Sequence, residues 1–371
     1  MGQVAAILML AKINKMTKQL ILFISLFIFF KVGYSQTGPG GIGSTDGTSS
    51  LDIWFDANRT VFNDAGSTAA SSGDSVHQWN EQSGSSTSNA IQSNGVRQPL
   101  YTENSLNGYP TIDFNGTDIL PISTVATLSS SSIFIVYSGT YIASTNGDQL
   151  LNLNGGGNSL VIELSSTTNA RARAYTGVNT CLNATVSNAT PTILTLNYNG
   201  GSTSQMSILG SSPSTATLPA VAVSSGSGSI GAHFGAVSGW FSGEIAEIIR
   251  YSSIVNDAQK IIVENYLAAK YGLSLSANDL YDEDNSANGN YDHDVAGIGR
   301  VDASNIHNDA QGTGLVRILS PNSLGDGDYL IWGHDSGNMS SAGGTDLPAT
   351  IEGRLARDWS ASETGGRNGN H

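Results

Sequence analysis

Residues 192–209, TILTLNYNGGSTSQMSIL, decide the fold class. Leu194, Leu196 and Tyr198 share one face of an extended segment, because side chains alternate between the two faces of a strand. The Asn-Gly-Gly sequence at 199–201 supplies residues that tolerate positive φ, and apolar alternation resumes after it. The stretch therefore predicts two antiparallel strands joined by a tight turn.

The same texture of short apolar segments between Ser, Gly and Asn turns extends over some 200 residues. IFIVY at 133–137 is a continuous apolar run, as in a strand buried on both faces, whereas LVIEL at 160–164 alternates. Such a pattern predicts an all-β protein built as an antiparallel sandwich or jelly roll.

One helix is predicted after these strands. Asn256 is a suitable N-cap, with Gln259 three residues on as in a capping box. Asp257 complements the helix dipole at the first turn and Lys270 does so at the last, while Gly272 is placed to end the helix. A lone amphipathic helix after a set of strands is expected to pack on the sandwich and cap it.

Changes in composition and stretches of turn-forming residues divide the chain into five parts. These are a signal peptide at 1–36 (with 1–15 a start called too early), a flexible lead-in at 37–50, a jelly roll at 51–275, an acidic linker at 276–293, and an incomplete β-rich domain of unknown function at 294–371.

The leader is predicted from a basic start, an eleven-residue apolar run at 20–30 and small residues before Gln36. That run is too short to span a bilayer comfortably, although a retained N-terminal anchor is the alternative. The leader holds four lysines and no acid, so its removal moves the net charge from −14 to −18. Such an acidic chain repels nucleic acid, and in a secreted protein it suits solubility or the binding of cations such as calcium.

Two glutamates in GEIAEIIRY raise the question of catalysis. Retaining glycosidases need a pair of carboxyl groups roughly 5 Å apart. Glu244 and Glu247 are three residues apart, so in a regular strand they point to opposite faces. The spacing therefore favours structural roles and a protein that is not an enzyme.

An acidic segment resembles a calcium-binding loop. Its candidate metal ligands are Asp284, Ser286, Asn288, Asn290 and Asp292. The match breaks at the twelfth position, where Val295 replaces a bidentate Glu. Calcium is the one cofactor that this pattern predicts, and the alternative is a solvated acidic linker.

Tryptophans raise the question of sugar stacking. Trp54 and Trp332 lie within apolar strands, which predicts core packing. Trp79 and Trp240 lie among polar and glycine residues, and they are the predicted ligand-binding residues.

Several segments resemble a laminin-G-like, concanavalin A-like jelly roll found in secreted surface proteins of gliding Gram-negative bacteria. They are LDIWFDA (51–57), VHQWNEQSG (76–84), PLYTENSLNGYPTIDFNG (99–116) and the closing run at 239–275, with its Gly-Glu-Ile-x-Glu signature at 243–247. NYDHDVAGIGRVDAS (290–304), DYLIWGHD (328–335) and RLARDWSASETG (354–365) are similar to an uncharacterised domain that often follows this jelly roll.

The resemblance implies a fold more firmly than an activity, because its superfamily includes lectins, adhesion modules and glycan hydrolases. We expect a non-catalytic recognition or adhesion protein at the cell surface, with glycans or surface polysaccharide as partners. We expect no nucleic-acid partner and no membrane span after leader removal. The alternatives are a glycoside hydrolase that uses Glu244 or Glu247, and a structural spacer within a larger surface protein.

Overall fold

The computed structural model describes residues 36–335, apart from 85–88, 126–127, 154–156, 222–225, 236, 286, 288–289 and 315. Over these residues it contains 22 strands and one α-helix. In chain order they are β1 (Leu51–Asp56), β2 (Val61–Phe62), β3 (Gln78–Trp79), β4 (Ala90–Ile91), β5 (Leu100–Leu106), β6 (Tyr109–Asn115), β7 (Leu120–Val125), β8 (Ser130–Thr140), β9 (Asp148–Leu153), β10 (Ser159–Ser166), β11 (Asn169–Tyr175), β12 (Asn179–Thr185), β13 (Thr192–Asn199), β14 (Thr203–Ile208), β15 (Ser214–Thr217), β16 (Gly226–Ile230), β17 (Ser242–Tyr251), α1 (Asp257–Tyr271), β18 (His293–Asp302), β19 (Asn305–His307), β20 (Asp309–Ala310), β21 (Ile318–Leu319) and β22 (Tyr329–His334).

Two large antiparallel sheets form a jelly-roll sandwich, which confirms the predicted fold class. The first sheet has the order β15-β14-β13-β8-β17-β6-β5, and β1 pairs with β17. The second has the order β12-β11-β10-β9-β16-β7-β4-β3-β2. The hairpin predicted over residues 192–209 is confirmed, since β13 and β14 pair with Leu194 opposite Ile208. β18 forms a smaller sheet with β19 and β22, and β20 pairs with β21.

The apolar residues separate into two large clusters on opposite faces of the first sheet. The sandwich core lies between the two sheets and includes Phe55, Ile135 and Ile248. The outer core lies between the first sheet and α1 and includes Trp54 and Phe134. The strand β8 is thus buried on both faces, as its continuous apolar run predicts.

Helix α1 has the ends that the sequence predicts. The Asn256 side chain accepts from the Gln259 N–H at 3.0 Å, and the Gln259 side chain accepts from the Asn256 N–H at 3.1 Å. Gly272 ends the helix with φ of 62°, a left-handed conformation that glycine adopts at low cost. The predicted capping helix is therefore confirmed.

The smaller sheet packs on the outer core as well. Val295 of β18 and Ile331 of β22 belong to the same apolar cluster as Ile262 of α1. The segment at 276–293, predicted as a linker, contributes the buried Tyr281 and Tyr291. Its proposed boundaries, like the rest of the five-part division, stay a prediction.

The lead-in at 37–50 is packed rather than free. Ile42 is buried in the outer core, and the Gly297 N–H donates to the Gly40 carbonyl. The His307 ring bonds to the Gly41 carbonyl at 3.1 Å. Glycines here let the chain pass closely against α1 and β18, a packing role that composition alone does not distinguish from flexibility.

Candidate functional site

The predicted separation of Glu244 and Glu247 onto opposite faces is wrong. A β-bulge interrupts the pairing of β17 with β8 between Ile245 and Glu247. Ile245 and Ile248 both face the sandwich core although they too are three residues apart. The bulge adds one residue to the alternation, so both glutamates lie on the outer face of the first sheet.

Gly243 has a backbone reason for its place in the Gly-Glu-Ile-x-Glu signature. Its φ is 140°, and a Cβ there would lie 2.2 Å from the Ser138 carbonyl oxygen. Only glycine fits this position of β17 without displacing the adjacent strand β8. The backbone therefore requires the glycine of this signature, whether or not the glutamates have a chemical role.

The two glutamates have different surroundings. Glu244 is half-buried and accepts from the Ser105 hydroxyl at 2.6 Å. Glu247 is fully buried and accepts hydrogen bonds from four side chains. These donors are the indole of Trp54 (2.7 Å), the hydroxyls of Tyr266 (3.0 Å) and Tyr271 (2.8 Å), and the ammonium of Lys270 (2.8 Å). Glu247 is thus enclosed within the protein.

Lys270 also bonds to a second buried carboxylate. Its Nζ lies 2.8 Å from Oδ2 of Asp56, which is 1 % exposed. Asp56 stands directly opposite Glu247 in the pairing of β1 with β17. We call Asp56, Glu247 and Lys270 the lysine triad. A helix and two neighbouring strands position it.

Burial and ion pairing have opposing effects on the pKa values of Glu247 and Lys270. It raises the pKa of Glu247 above its usual range, against the opposing effect of Lys270. Burial also lowers the pKa of Lys270, but Asp56 and Glu247 raise it more, so the net shift is upward. The resting triad therefore contains a charged ammonium between two acids.

A polar pocket of about 510 Å³ opens beside the triad. Its lining comes from the β1–β2 and β5–β6 turns, from α1, from the residues just before β18 and at its start, and from the β20–β21 connection. The lining residues are Asp56, Asn58, Arg59, Asn107, Gly108, Tyr109, Tyr266, Lys270, Asn290, Asp292, His293, Asp294 and Thr313. Distant parts of the sequence thus meet around one concave surface.

Hydrogen bonds hold one wall of the polar pocket. Asn107 donates from its side chain to Asp292 at 3.0 Å and to the Lys270 carbonyl at 3.1 Å. Asp292 also contacts Nδ1 of His293 at 2.6 Å. The Tyr109 ring packs against the His293 ring, with 5.7 Å between centroids. This wall offers amide, imidazole, carboxylate and aromatic groups together.

The opposite wall carries a second carboxylate–imidazole pair. Nε2 of His334 lies 2.8 Å from Asp294, and the Thr313 hydroxyl donates to the same carboxylate. The hydrogen bond with Asp294 raises the pKa of His334. Arg59 lies nearby, with its side chain 39 % exposed and 3.3 Å from Asp56. Each aspartate of the lining thus has a side-chain partner.

The predicted sugar-stacking residues lie away from this pocket. Trp79 is fully buried, with its ring 5.2 Å from Phe55 and its indole N–H donating to the Asp56 carbonyl. It lacks the exposure that a stacking residue needs, because β3 closes the sandwich core. Trp240 is half-buried, and the Arg97 guanidinium lies 4.5 Å from its ring centroid. Trp54 and Trp332 are buried as predicted.

The predicted calcium ligands are only partly described. Ser286 and Asn288 lie outside the described residues. Burial raises the pKa of Asp284 to about 6, and Asp292 is engaged by Asn107 and His293. Within the described part of the chain, no group of three or more His, Cys, Asp or Glu side chains is placed to hold a metal. Calcium binding through this loop, which also draws on asparagine and serine, stays a prediction.

Two of the residues that line the polar pocket, Asn290 and Asp292, were predicted from the sequence as calcium ligands, and the other lining residues were not identified. Asn107 and Tyr109 flank a turn glycine, so the sequence there indicates a turn and gives no sign of binding. Lys270 is already explained as a cation that complements the helix dipole. Asp56 ends an apolar strand, and a polar residue at a strand end does not by itself indicate a site. One usable signal was the buried stripe of α1, in which a lysine next to tyrosines needs a carboxylate partner.

Comparison with known proteins gives a family match for part of the chain. Residues 259–371 match a family described as a domain of unknown function (DUF8202). The match begins inside α1 and covers β18 to β22. No curated protein matches the chain.

Several solved structures show a distant likeness. Domain 4 of AbnA, a GH43 extracellular arabinanase from Geobacillus stearothermophilus in complex with arabinotriose, is 12 % identical, with 54 % of this chain and 91 % of that chain covered and a TM-score of 0.41. A native heptameric SAP-like pentraxin from Limulus polyphemus is 13 % identical, with 45 % and 88 % covered and a TM-score of 0.35. The Ruminococcus gnavus IT-sialidase CBM40 bound to α2,3-sialyllactose is 13 % identical, with 38 % and 96 % covered and a TM-score of 0.31.

Proposed function

We propose that this chain is a secreted cell-surface recognition protein that binds carbohydrate in the polar pocket without cleaving it. The observation that carries the proposal is the meeting of Asn107, Asp292 and His293 beside the Tyr109 ring in a pocket of about 510 Å³. That volume lies within the ~300–1,000 Å³ typical of small-molecule sites.

The chemistry of the lining suits a ligand with many hydroxyl groups. A sugar hydroxyl both donates and accepts, so it pairs well with amide, imidazole and carboxylate side chains. Asn107 and Asn58 are exposed, while Arg59 and His293 are half-buried, so their polar groups can reach a ligand. The lining carries charges of both signs, with Asp56, Asp292 and Asp294 set against Arg59 and Lys270, which favours a neutral glycan over a strongly charged ligand.

Two features support binding without hydrolysis. Glu247, one of the two glutamates considered for catalysis, is fully buried and accepts hydrogen bonds from four side chains. Asp292 and Asp294 are each held by an imidazole partner. A general acid must be able to reach the glycosidic oxygen and exchange a proton with it, and these pairings oppose that role.

The secreted location rests on the leader sequence, which lies outside the described residues. Among those that are described, no helix has both the length and the apolarity to cross a bilayer. The predicted link to gliding bacteria and to an adhesive role belongs to the same proposal.

A glycan array followed by calorimetry on the purified chain tests this function. We expect a neutral oligosaccharide to bind, and we expect His293→Ala and Tyr109→Leu to weaken that binding tenfold or more. Trp240→Ala is the matched control, because it removes the other predicted ligand-binding aromatic and should leave binding unchanged. Loss of binding in Trp240→Ala alone would move the site to that surface, and a blank array would refute the proposal.

A further inference from the structure

The lysine triad joins three points that are far apart in sequence. Lys270 Nζ lies 2.8 Å from Oδ2 of Asp56 and 2.8 Å from Oε2 of Glu247. The Cγ carbon of Asp56 lies no more than one carbon–oxygen bond beyond Oδ2. The amine, the carboxyl group of Asp56 and a second acid, Glu247, are thus in contact within one buried space.

The surroundings of the triad are aromatic and nearly closed to solvent. Lys270 is 6 % exposed, and its Nζ lies 5.1–5.6 Å from the ring centroids of Tyr109, Tyr266 and Tyr271. Taking an ion pair out of water is costly, so a buried ammonium and carboxylate gain by becoming a neutral group. An amine fixed against a carboxyl also has the proximity that speeds intramolecular reactions.

We propose that Lys270 and Asp56 condense into an intramolecular amide, an isopeptide bond, with Glu247 carrying the proton between them. The bond would fasten α1 to the end of β1. It is a modification of the folded protein's own side chains. Asp56 and Lys270 also line the polar pocket, but the residues that carry the carbohydrate-binding proposal, Asn107, Tyr109, Asp292 and His293, take no part in the reaction.

The reaction balances without any other reactant. Lys270 passes one ammonium proton to Glu247, and the free amine attacks Cγ of Asp56. The Nζ–Cγ bond forms, and the Cγ–Oδ2 bond breaks after Oδ2 has received two protons, one from Glu247 and one from the attacking nitrogen. Oδ2 leaves as water, the amide nitrogen keeps one hydrogen, and Glu247 returns to its starting state.

Neighbouring groups are placed to assist each step. The Asn58 backbone N–H donates to Oδ1 of Asp56 at 2.9 Å, so it can stabilise negative charge on that oxygen during the attack. Trp54 and Tyr271 hold the Glu247 carboxyl at 2.7 and 2.8 Å. Burial disfavours the charged form of Glu247, which suits an acid that must take up and return a proton.

Mass spectrometry of the full chain without any substitution, purified under denaturing conditions, tests the bond directly. We expect an intact mass lower by one water than the sequence requires, with the N-terminus read from the same sample. A tryptic digest should contain one branched peptide that joins Asp56 to Lys270, with no cleavage after Lys270.

Lys260 is the internal control for this experiment. It contacts Glu264 at 3.0 Å on the same helix, but among the described residues it forms no ion pair with a second acid, so its peptide should be linear. Full mass and a linear Lys270 peptide would overturn the proposal.

Three variants assign the roles within the triad. Lys270→Arg keeps the charge but should restore the full mass. Asp56→Asn should still react and lose one ammonia in place of one water, and its digest should contain the same branched peptide, which separates condensation with Lys270 from succinimide formation at position 56. Glu247→Gln should leave the chain unbranched, and a branched Glu247→Gln protein would exclude Glu247 as the proton carrier. The primary result comes from the chain without substitutions, so the bond can still be confirmed or refuted if a variant fails to fold.

Discussion

At the scale of single residues, Glu244 and Glu247 show how one inserted residue changes chemistry. The two have the same side chain, and they lie three positions apart on one strand. The bulge places both on the outer face, where Glu247 meets α1 and Glu244 meets Ser105 of β5. Their different burial therefore comes from what packs over each position of the sheet, and side-chain identity has no part in it.

His307 provides a pH prediction at this scale. It is 7 % exposed, and burial lowers its pKa to about 4, against smaller opposing effects of its bond with Gly41 and of Asp309. The folded state therefore binds this proton less readily than the unfolded state. The contribution of His307 to stability is full above pH ~6.5 and is lost as pH falls toward 4.

We expect His307→Gln to remove this pH dependence. Urea unfolding of the unmodified chain at pH 7 and pH 4.5 should show a loss at the lower pH, of which about 2 kcal/mol comes from His307. The variant should lose correspondingly less between the same two pH values. Parallel losses in both proteins would mean that the unfolded and folded states bind the His307 proton equally.

At the scale of elements, α1 is the best example of local sequence deciding local structure. Its N-cap, capping box, dipole residues and terminal glycine were all readable, because each acts through backbone groups a few residues away. The face that α1 buries was partly readable from its apolar stripe. The pairing of Lys270 with Asp56, 214 residues distant, was not.

Replacing the N-cap tests this local account. Asn256→Ala should lower the free energy of unfolding by about 1 kcal/mol, since the Gln259 N–H loses its acceptor. Asn256→Asp is the matched variant, because it keeps that acceptor but loses the amide that donates to the Ile306 carbonyl at 3.0 Å. Urea denaturation of both separates capping from the contact with β19. Equal losses would place the effect in that contact rather than in the cap.

At the scale of the whole molecule, the first sheet separates two apolar clusters, and the outer one extends from β1 through α1 to β18 and β22. Residues from the lead-in, the sandwich and the smaller sheet share that outer core. Elements that bury the same apolar surface depend on one another for stability.

We therefore expect residues 36–335 to unfold in a single cooperative transition. Fluorotryptophan NMR resolves this, because Trp54 lies in β1 and Trp332 lies in β22. Their resonances should lose native intensity with the same urea midpoint. Separate midpoints would show that 51–275 and 294–371 behave as independent domains.

By itself the sequence determined the all-β class, the β13–β14 hairpin, the strand buried on both faces and both ends of α1. These features depend on alternation, turn residues and caps, which act over a few neighbouring residues. The tertiary structure decided the bulge in β17, the burial of Trp79, the lysine triad and the polar pocket. Each of these depends on which distant segments pack together, and that lies beyond the few neighbouring residues over which alternation, turns and caps act.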